Sequence, residues 1–277
     1  MNHPRRHLRF QALALTTLVI GLLPATFASS IAEPVRLASA FFGWAVAMYL
    51  FAAGGTLVAA FTFGPGERLR PAWLLVSASY LVLVPALIRI GPKAQGLYVE
   101  AARAPWVDSL ASVVSGALAV TGFLLLSRAW HASGLDTTSR TGRVVARLGA
   151  LAVAVAMAGP DLAEQLPAAL GGDVEAAGDV LTDLLDGGLF VVAVPVLRAA
   201  LVLGGGLVAW PWVLLTASLT AWLGYDAIIV YGGVAGLDGR TMRVIEEVCR
   251  TLGAAMAFSA GIAQRWVMTE PKKAAGD

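Results

Sequence analysis

Eight stretches of predominantly apolar residues follow one another along this chain, and that succession leaves few ways for it to fold. They run over residues 10–32, 38–63, 71–90, 105–130, 144–166, 180–203, 208–230 and 244–268. A helix needs about 20 such residues to cross the hydrocarbon of a bilayer. Inside lipid, every backbone amide and carbonyl must be satisfied within its own segment, which makes each stretch a helix. The composition agrees: 58% of the 277 residues are hydrophobic and 14% are charged, against about 25% charged in soluble domains. A soluble chain of this size has too little interior to hide that much apolar side chain. The expected fold is an all-α, polytopic transmembrane bundle of about eight helices. No segment is long or polar enough for a separate soluble domain, and residues 131–143 form the longest polar loop.

The first stretch has a second reading. Arg5, Arg6 and Arg9 precede it and small residues end it, a pattern shared with secretory signal peptides, with cleavage points after Ala28 or Ala32. An internal repeat favours keeping it. Trp73-Leu74-Leu75-Val76-Ser77-Ala78-Ser79 aligns without gaps on Trp212-Val213-Leu214-Leu215-Thr216-Ala217-Ser218, an offset of 139 residues. The same offset carries Asp108 to Glu247 and Gly122 to Gly261, and the first span onto the fifth. The chain therefore reads as two tandem four-helix repeats, 1–139 and 140–277, of equal topology, as in several transporter folds.

Lysine and arginine set the orientation, because they accumulate on cytoplasmic segments. With the N-terminus in the cytoplasm, thirteen of the 20 basic residues fall on the inner side and seven on the outer. Both termini are expected in the cytoplasm of a bacterial inner (cell) membrane protein. Trp73, Trp130, Trp210, Trp212 and Trp266 fall at the same inner end, where an amphipathic ring is comfortable. Arg198, in the inner half of the sixth span, is expected to snorkel to the headgroups. Gly54, Gly55, Gly116, Gly122, Gly149, Gly187 and Gly188 offer close helix approach, and Pro85 and Pro195 should kink their spans.

Several chemistries have no residues to run them. His3, His7 and His131 all lie outside the spans, so buried bis-histidine haem ligation is excluded. Lys93, Lys272 and Lys273 also lie outside, leaving no lysine for a Schiff base in the core. Cys249 is the sole cysteine, reads as a small apolar helix residue, and allows neither a disulfide nor a multi-cysteine metal site. No phosphate-cradling or zinc-protease motif occurs. Around Ser259, Phe-Ser-Ala-Gly lacks the first glycine and the histidine base of a nucleophile elbow, so Ser259 reads as a helix-packing residue. No basic stripe with interleaved aromatics suits nucleic acid. The expectation is a non-enzyme with no cofactor and no metal, its partners being the bilayer and a separate signalling protein or a second copy.

The informative feature is acidic. Asp161 and Glu164 end the fifth span, Asp173, Glu175 and Asp179 lie in the next loop or at its edge, and Asp183 and Asp186 lie within the sixth span. Asp226 sits in the outer third of the seventh, and Glu246 and Glu247 begin the eighth. Asp179, Asp183 and Asp186 share one helix face through their i, i+4, i+7 spacing. One carboxylate near the bilayer centre costs about 2.5–3.5 kcal/mol, so that face needs water, a cation or basic partners. Arg89, Arg243 and Arg250 are the ion-pair partners within reach, with Arg250 one turn from Glu246 and Glu247. Two readings remain: an outward-facing pocket that binds a ligand or cation through Asp179, Asp183, Asp186, Asp226, Glu246 and Glu247, or a solvated collar at a helix N-terminus, where the helix dipole favours negative charge.

The run Ala177-Gly178-Asp179-Val180-Leu181, then Pro195-Val196-Leu197, Trp210-Pro211-Trp212 and Gly224-Tyr225-Asp226, resembles the N-terminal multi-helix membrane regions of some bacterial diguanylate cyclases and histidine kinases. The resemblance covers about the last 100 residues. It implies a sensory, ligand-binding module with Asp179 and Asp226 as motif acids. It departs from that family in one respect: no catalytic output domain follows Met268, so a sensor of this form signals through another protein. The alternative is a transporter of small cations or solutes, proton-coupled through the same acids. Orientation is directly testable. In a Cys249→Ser background, a single cysteine introduced after Met268 should stay unlabelled by a membrane-impermeant maleimide in intact cells and label after lysis. Labelling in intact cells would reverse the topology.

Overall fold

The computed structural model describes residues 3–94, 105–134, 139–204 and 206–274. Among them there is no strand; nine helical segments follow in order, α1 (His3–Gly21), α2 (Leu23–Ser30), α3 (Pro34–Ala60), α4 (Leu69–Ala94), α5 (Pro105–Ala132), α6 (Arg140–Leu170), α7 (Val174–Val202), α8 (Ala209–Tyr231) and α9 (Gly239–Ala274). Seven spans are long and apolar enough to cross a membrane: α1 with α2 over His7–Ser30, then α3, α4, α5, α6, α7 and α8. The all-helical polytopic bundle expected from the sequence is therefore what the chain forms. Its large exposed side chains, among them Leu15, Val19, Phe51, Val145, Leu148 and Val155, are the ones lipid would cover.

The last segment differs in kind. α9 has 36 residues, about 54 Å of helix at 1.5 Å per residue, and its first turns carry Arg243, Glu246, Glu247 and Arg250. It need not be apolar, because it lies inside the bundle, against α8, α3, α1 and α2. Ala254, Ala255, Ala257, Ala260 and Ala263 on α9 belong to the core. Alanine and glycine there let backbones touch: a Cβ on Gly261 would run into the carbonyl of Gly55 on α3, and one on Gly55 would meet the backbone of Phe258 at 2.5 Å. The hydroxyls of Thr17 on α1 and Ser259 lie 2.6 Å apart, fastening α1 to the same helix; Ser259 is the packing residue expected. Phe10 of α1 stacks on Trp210 and meets Trp266 edge-on. α6 is the opposite case, with Ala154 its one buried residue.

Connections are short and locally determined. Ser139 caps α6 by accepting the Gly142 amide at 3.1 Å. Gly172, at φ +95, turns the chain between α6 and α7, and Asp173 accepts the Glu175 and Ala176 amides at 2.9 and 3.2 Å. Asp238 caps α9 in the same way, and the Thr241 hydroxyl, with the amides behind it, holds its carboxyl below the ordinary carboxylate range.

The structure corrects several boundaries. Helix α7 begins at Val174, so Glu175 and Asp179 are helical residues rather than loop. Glu164 lies inside α6, which continues to Leu170. The polar 131–143 loop shrinks, since α5 reaches Ala132 and α6 starts at Arg140. The first span breaks at Leu22, ahead of Pro24, whose ring is accommodated in the first turn of a new helix. Arg198 does not snorkel: it is 8% exposed, because this end of α7 packs on α5, where Ser127 donates to the Val192 carbonyl at 2.6 Å, one turn before Pro195. Trp73 and Trp130 are buried in the protein rather than set in a headgroup belt. Of the glycines named from sequence, Gly55, Gly116, Gly122 and Gly187 make close contacts, while Gly54, Gly149 and Gly188 face open space. Gly122 meets α4 and Gly261 meets α3, so this aligned pair makes different contacts.

Two adjacent glycines give a paired test. Gly55→Ala forces α3 away from α9 and should cost about 1–3 kcal/mol, the usual range for overpacking; Gly54→Ala should stay within about 0.5 kcal/mol. Thermal unfolding in detergent checks both, and equal midpoints for the two variants would refute the close contact.

Candidate functional site

Two cavities lie at the half of the bundle away from the chain's first residues, and α7 and α8 contribute to both. The larger, about 260 Å³, is enclosed by α3, α4, α5, α7 and α8. The smaller, about 200 Å³, lies between α6, α7 and α8. Asp186, Phe190, Tyr225 and Asp226 line both.

The acids expected from sequence divide into two groups. Asp186 and Asp226 border both cavities, and Asp183 and Asp161 border the smaller one. The spacing on α7 thus does point two of its three carboxylates at a cavity, and α8 brings Asp226 to meet them. Asp179 is half-buried and borders neither cavity. Oδ2 of Asp183 is buried with no hydrogen-bond partner among the described residues.

Glu246 and Glu247 are taken up differently. Arg243 bonds Glu246 at 3.1 Å and Glu247 at 3.2 Å, and Arg250 bonds Glu247 at 3.1 Å. Glu247 is 0% exposed. These pairs lie along one face of α9, as the i+3 and i+4 spacing requires, and they border neither cavity. Arg243 and Arg250 are therefore the partners expected. The side chain of Arg89 lies outside the described residues.

Six aromatic residues, Tyr49, Tyr80, Phe123, Phe190, Trp222 and Tyr225, line the larger cavity. Tyr49 of α3 and Tyr80 of α4 lie 5.9 Å apart, Tyr49 and Trp222 of α8 6.0 Å, and Trp222 and Tyr225 5.7 Å. Hydroxyls are also present, and those of Ser115, Ser218 and Thr182 spend their hydrogens on the protein. Ser115 donates to the Ser79 carbonyl at 2.9 Å, Ser218 to the Gly253 carbonyl at 2.7 Å, and Thr182 to the Gly178 carbonyl at 3.0 Å. What these oxygens have left to offer is lone pairs. Carboxylates, hydroxyl lone pairs and ring faces all favour positive charge.

Tyr225 joins this wall to α9. Nη2 of Arg250 donates to its hydroxyl at 3.0 Å, and the guanidinium lies 5.1 Å from its ring centre. Among the described residues, no group of three His, Cys, Asp or Glu side chains is placed to hold a metal ion.

The sequence reading did not find Tyr49, Tyr80, Trp222 or the serines. Their signal is slight: two tyrosines at mid-span, and Ser79 and Ser218 at the same position of the aligned repeat segment.

The buried ion pair is testable through stability. Arg250→Ala leaves Glu247 short of a partner and should cost about 3–5 kcal/mol, while Glu247→Leu with Arg250→Met should recover most of that loss. Unfolding in detergent measures both, and a single variant as stable as the parent would remove the pair from the account. Compared with protein-family models, curated proteins and solved structures, the chain matches none.

Proposed function

We propose that this chain is an integral membrane protein of sensory, ligand-binding type, without enzymatic activity of its own, and that it binds a small organic cation between Asp186 and Asp226. The observation that carries the reading is that the larger cavity sets two carboxyl groups, Asp186 and Asp226, among aromatic faces. Its carboxylates come from two helices, the hydroxyls of Ser79, Ser115, Thr182 and Ser218 donate to backbone carbonyls, and six aromatic rings line it among aliphatic side chains. A protonated or quaternary amine with an apolar body matches all three. A bare metal ion does not, since it would need several oxygen ligands at close range. Asp183 enlarges the negative field at the neighbouring cavity.

Orientation and output complete the proposal. With both termini in the cytoplasm of an inner membrane, the cavities open toward the extracytoplasmic side. Tyr225 and Arg250 connect them to α9, which runs to the cytoplasmic face and a separate signalling partner. The resemblance to the membrane regions of cyclases and kinases supports the sensory assignment.

A second reading, transport of the same cation, has its own observation. Val76, Ser79, Tyr80 and Leu83 of α4 align, at the 139-residue offset, with Leu215, Ser218, Leu219 and Trp222 of α8, and all eight line the one cavity. A binding site at the meeting of two repeats is a transporter arrangement.

Benzyltrimethylammonium is a suitable probe, followed through tryptophan fluorescence, with Trp222 in the cavity wall. Losing two charge-assisted contacts of about 1.5–3 kcal/mol each should weaken its binding by about 100-fold or more in Asp186→Asn with Asp226→Asn. Glu246→Gln should leave binding within about twofold. Equal affinity in the double variant would dismiss the site. Uptake of the probe into proteoliposomes would favour transport over sensing.

A further inference from the structure

At the end of the bundle that carries the chain's first residues, a third and larger depression lies apart from the two acidic cavities. The α3–α4 connection and the last turns of α5 enclose a groove of about 870 Å³. Its floor is apolar, with Leu74, Leu125 and Ala129, and its rim holds Arg68, Arg70 and Arg128. Glu67 also borders it, but Oε1 accepts the Gly64 amide at 2.8 Å. Arg70 lies 5.4 Å from the ring centre of Phe61. Among the described residues none of the three arginines forms an ion pair.

We propose that this groove binds the phosphate-bearing headgroup of an anionic membrane lipid, with an acyl chain laid on Leu74 and Leu125. Depth fits: Arg68 directly precedes α4, and Arg128 lies one turn before the end of α5, so both guanidiniums sit at headgroup level while the floor faces hydrocarbon. Charge fits as well. Guanidinium groups bond phosphate oxygens in pairs, and basic pockets between membrane helices suit such headgroups. Phe61, 62% exposed, adds apolar surface at the same level. A soluble phosphate would use the rim and leave the floor idle, whereas a lipid uses both. The site is independent of the acidic cavities and of the reading given to them.

Native mass spectrometry of the purified full chain tests it, with phosphatidylglycerol titrated against phosphatidylcholine. The parent should prefer phosphatidylglycerol by about tenfold or more, taking about 1 kcal/mol per basic residue near the surface. Arg68→Gln with Arg128→Gln should bring the two lipids within about twofold, while Arg140→Gln with Arg265→Gln, an equal charge change at the same end but off the groove, keeps the preference. Leu125→Trp, which fills the floor with every charge retained, should weaken lipid binding as well. The proposal fails if the double variant keeps the full preference, if the parent has none, or if inorganic phosphate binds as tightly as the lipid.

Discussion

A carboxylate with no exposed surface governs the second half of this bundle. Glu247 lies on a helix that every neighbour encloses, and burying its charge without an answer would cost several kcal/mol. Arg250 and Arg243 supply the answer from the same helix face, and Tyr225 supports Arg250 from α8. That bond pins the register of α8 on α9. Since Asp226 follows Tyr225 directly, the same register presents Asp226 beside Asp186. The geometry of the cavity thus follows from settling a charge that does not itself border it.

The charged start of α9 also explains the order of the layers. A lipid-facing helix must be apolar where it crosses hydrocarbon, as α6 is from Leu148 to Pro160, whereas a helix enclosed by protein is free to carry ions and to be rich in alanine. The close approach of Gly55 and Gly261 then brings α3 in, and with it Tyr49. Small residues and buried ions do complementary work on one helix: the first set the distance to α3, the second the register on α8.

Lipid made most of the fold legible in the sequence, because a helix that crosses hydrocarbon has to declare itself in composition. Helix ends were less legible, since residues such as Glu175 and Asp179 suit a first helical turn as well as a loop, and Asp173 decides between them only through its capping bonds. Among the acids, Asp183, Asp186 and Asp226 were readable as intramembrane carboxylates. Glu246 and Glu247 read as site candidates too, but Arg250 within one turn already marked them for local pairing, which Arg250 makes with Glu247 and Arg243 with both. Tyr49, Tyr80 and Trp222 were opaque, because an aromatic residue in an apolar helix looks like packing until three helices turn its face onto one space. Arg198 misled for a related reason: no local pattern reveals that α5 covers that face of α7.

Tyr225 holds two positions at once, with its ring in the wall of both cavities and its hydroxyl bonded to Arg250. Anything that presses on the ring therefore does work on the central helix, and any displacement of that helix reshapes the wall. Thermodynamic reciprocity makes the influence equal in both directions. A protein that grips the far end of α9 would retune the affinity of a pocket half a membrane away by the same factor with which the pocket's occupant alters its grip.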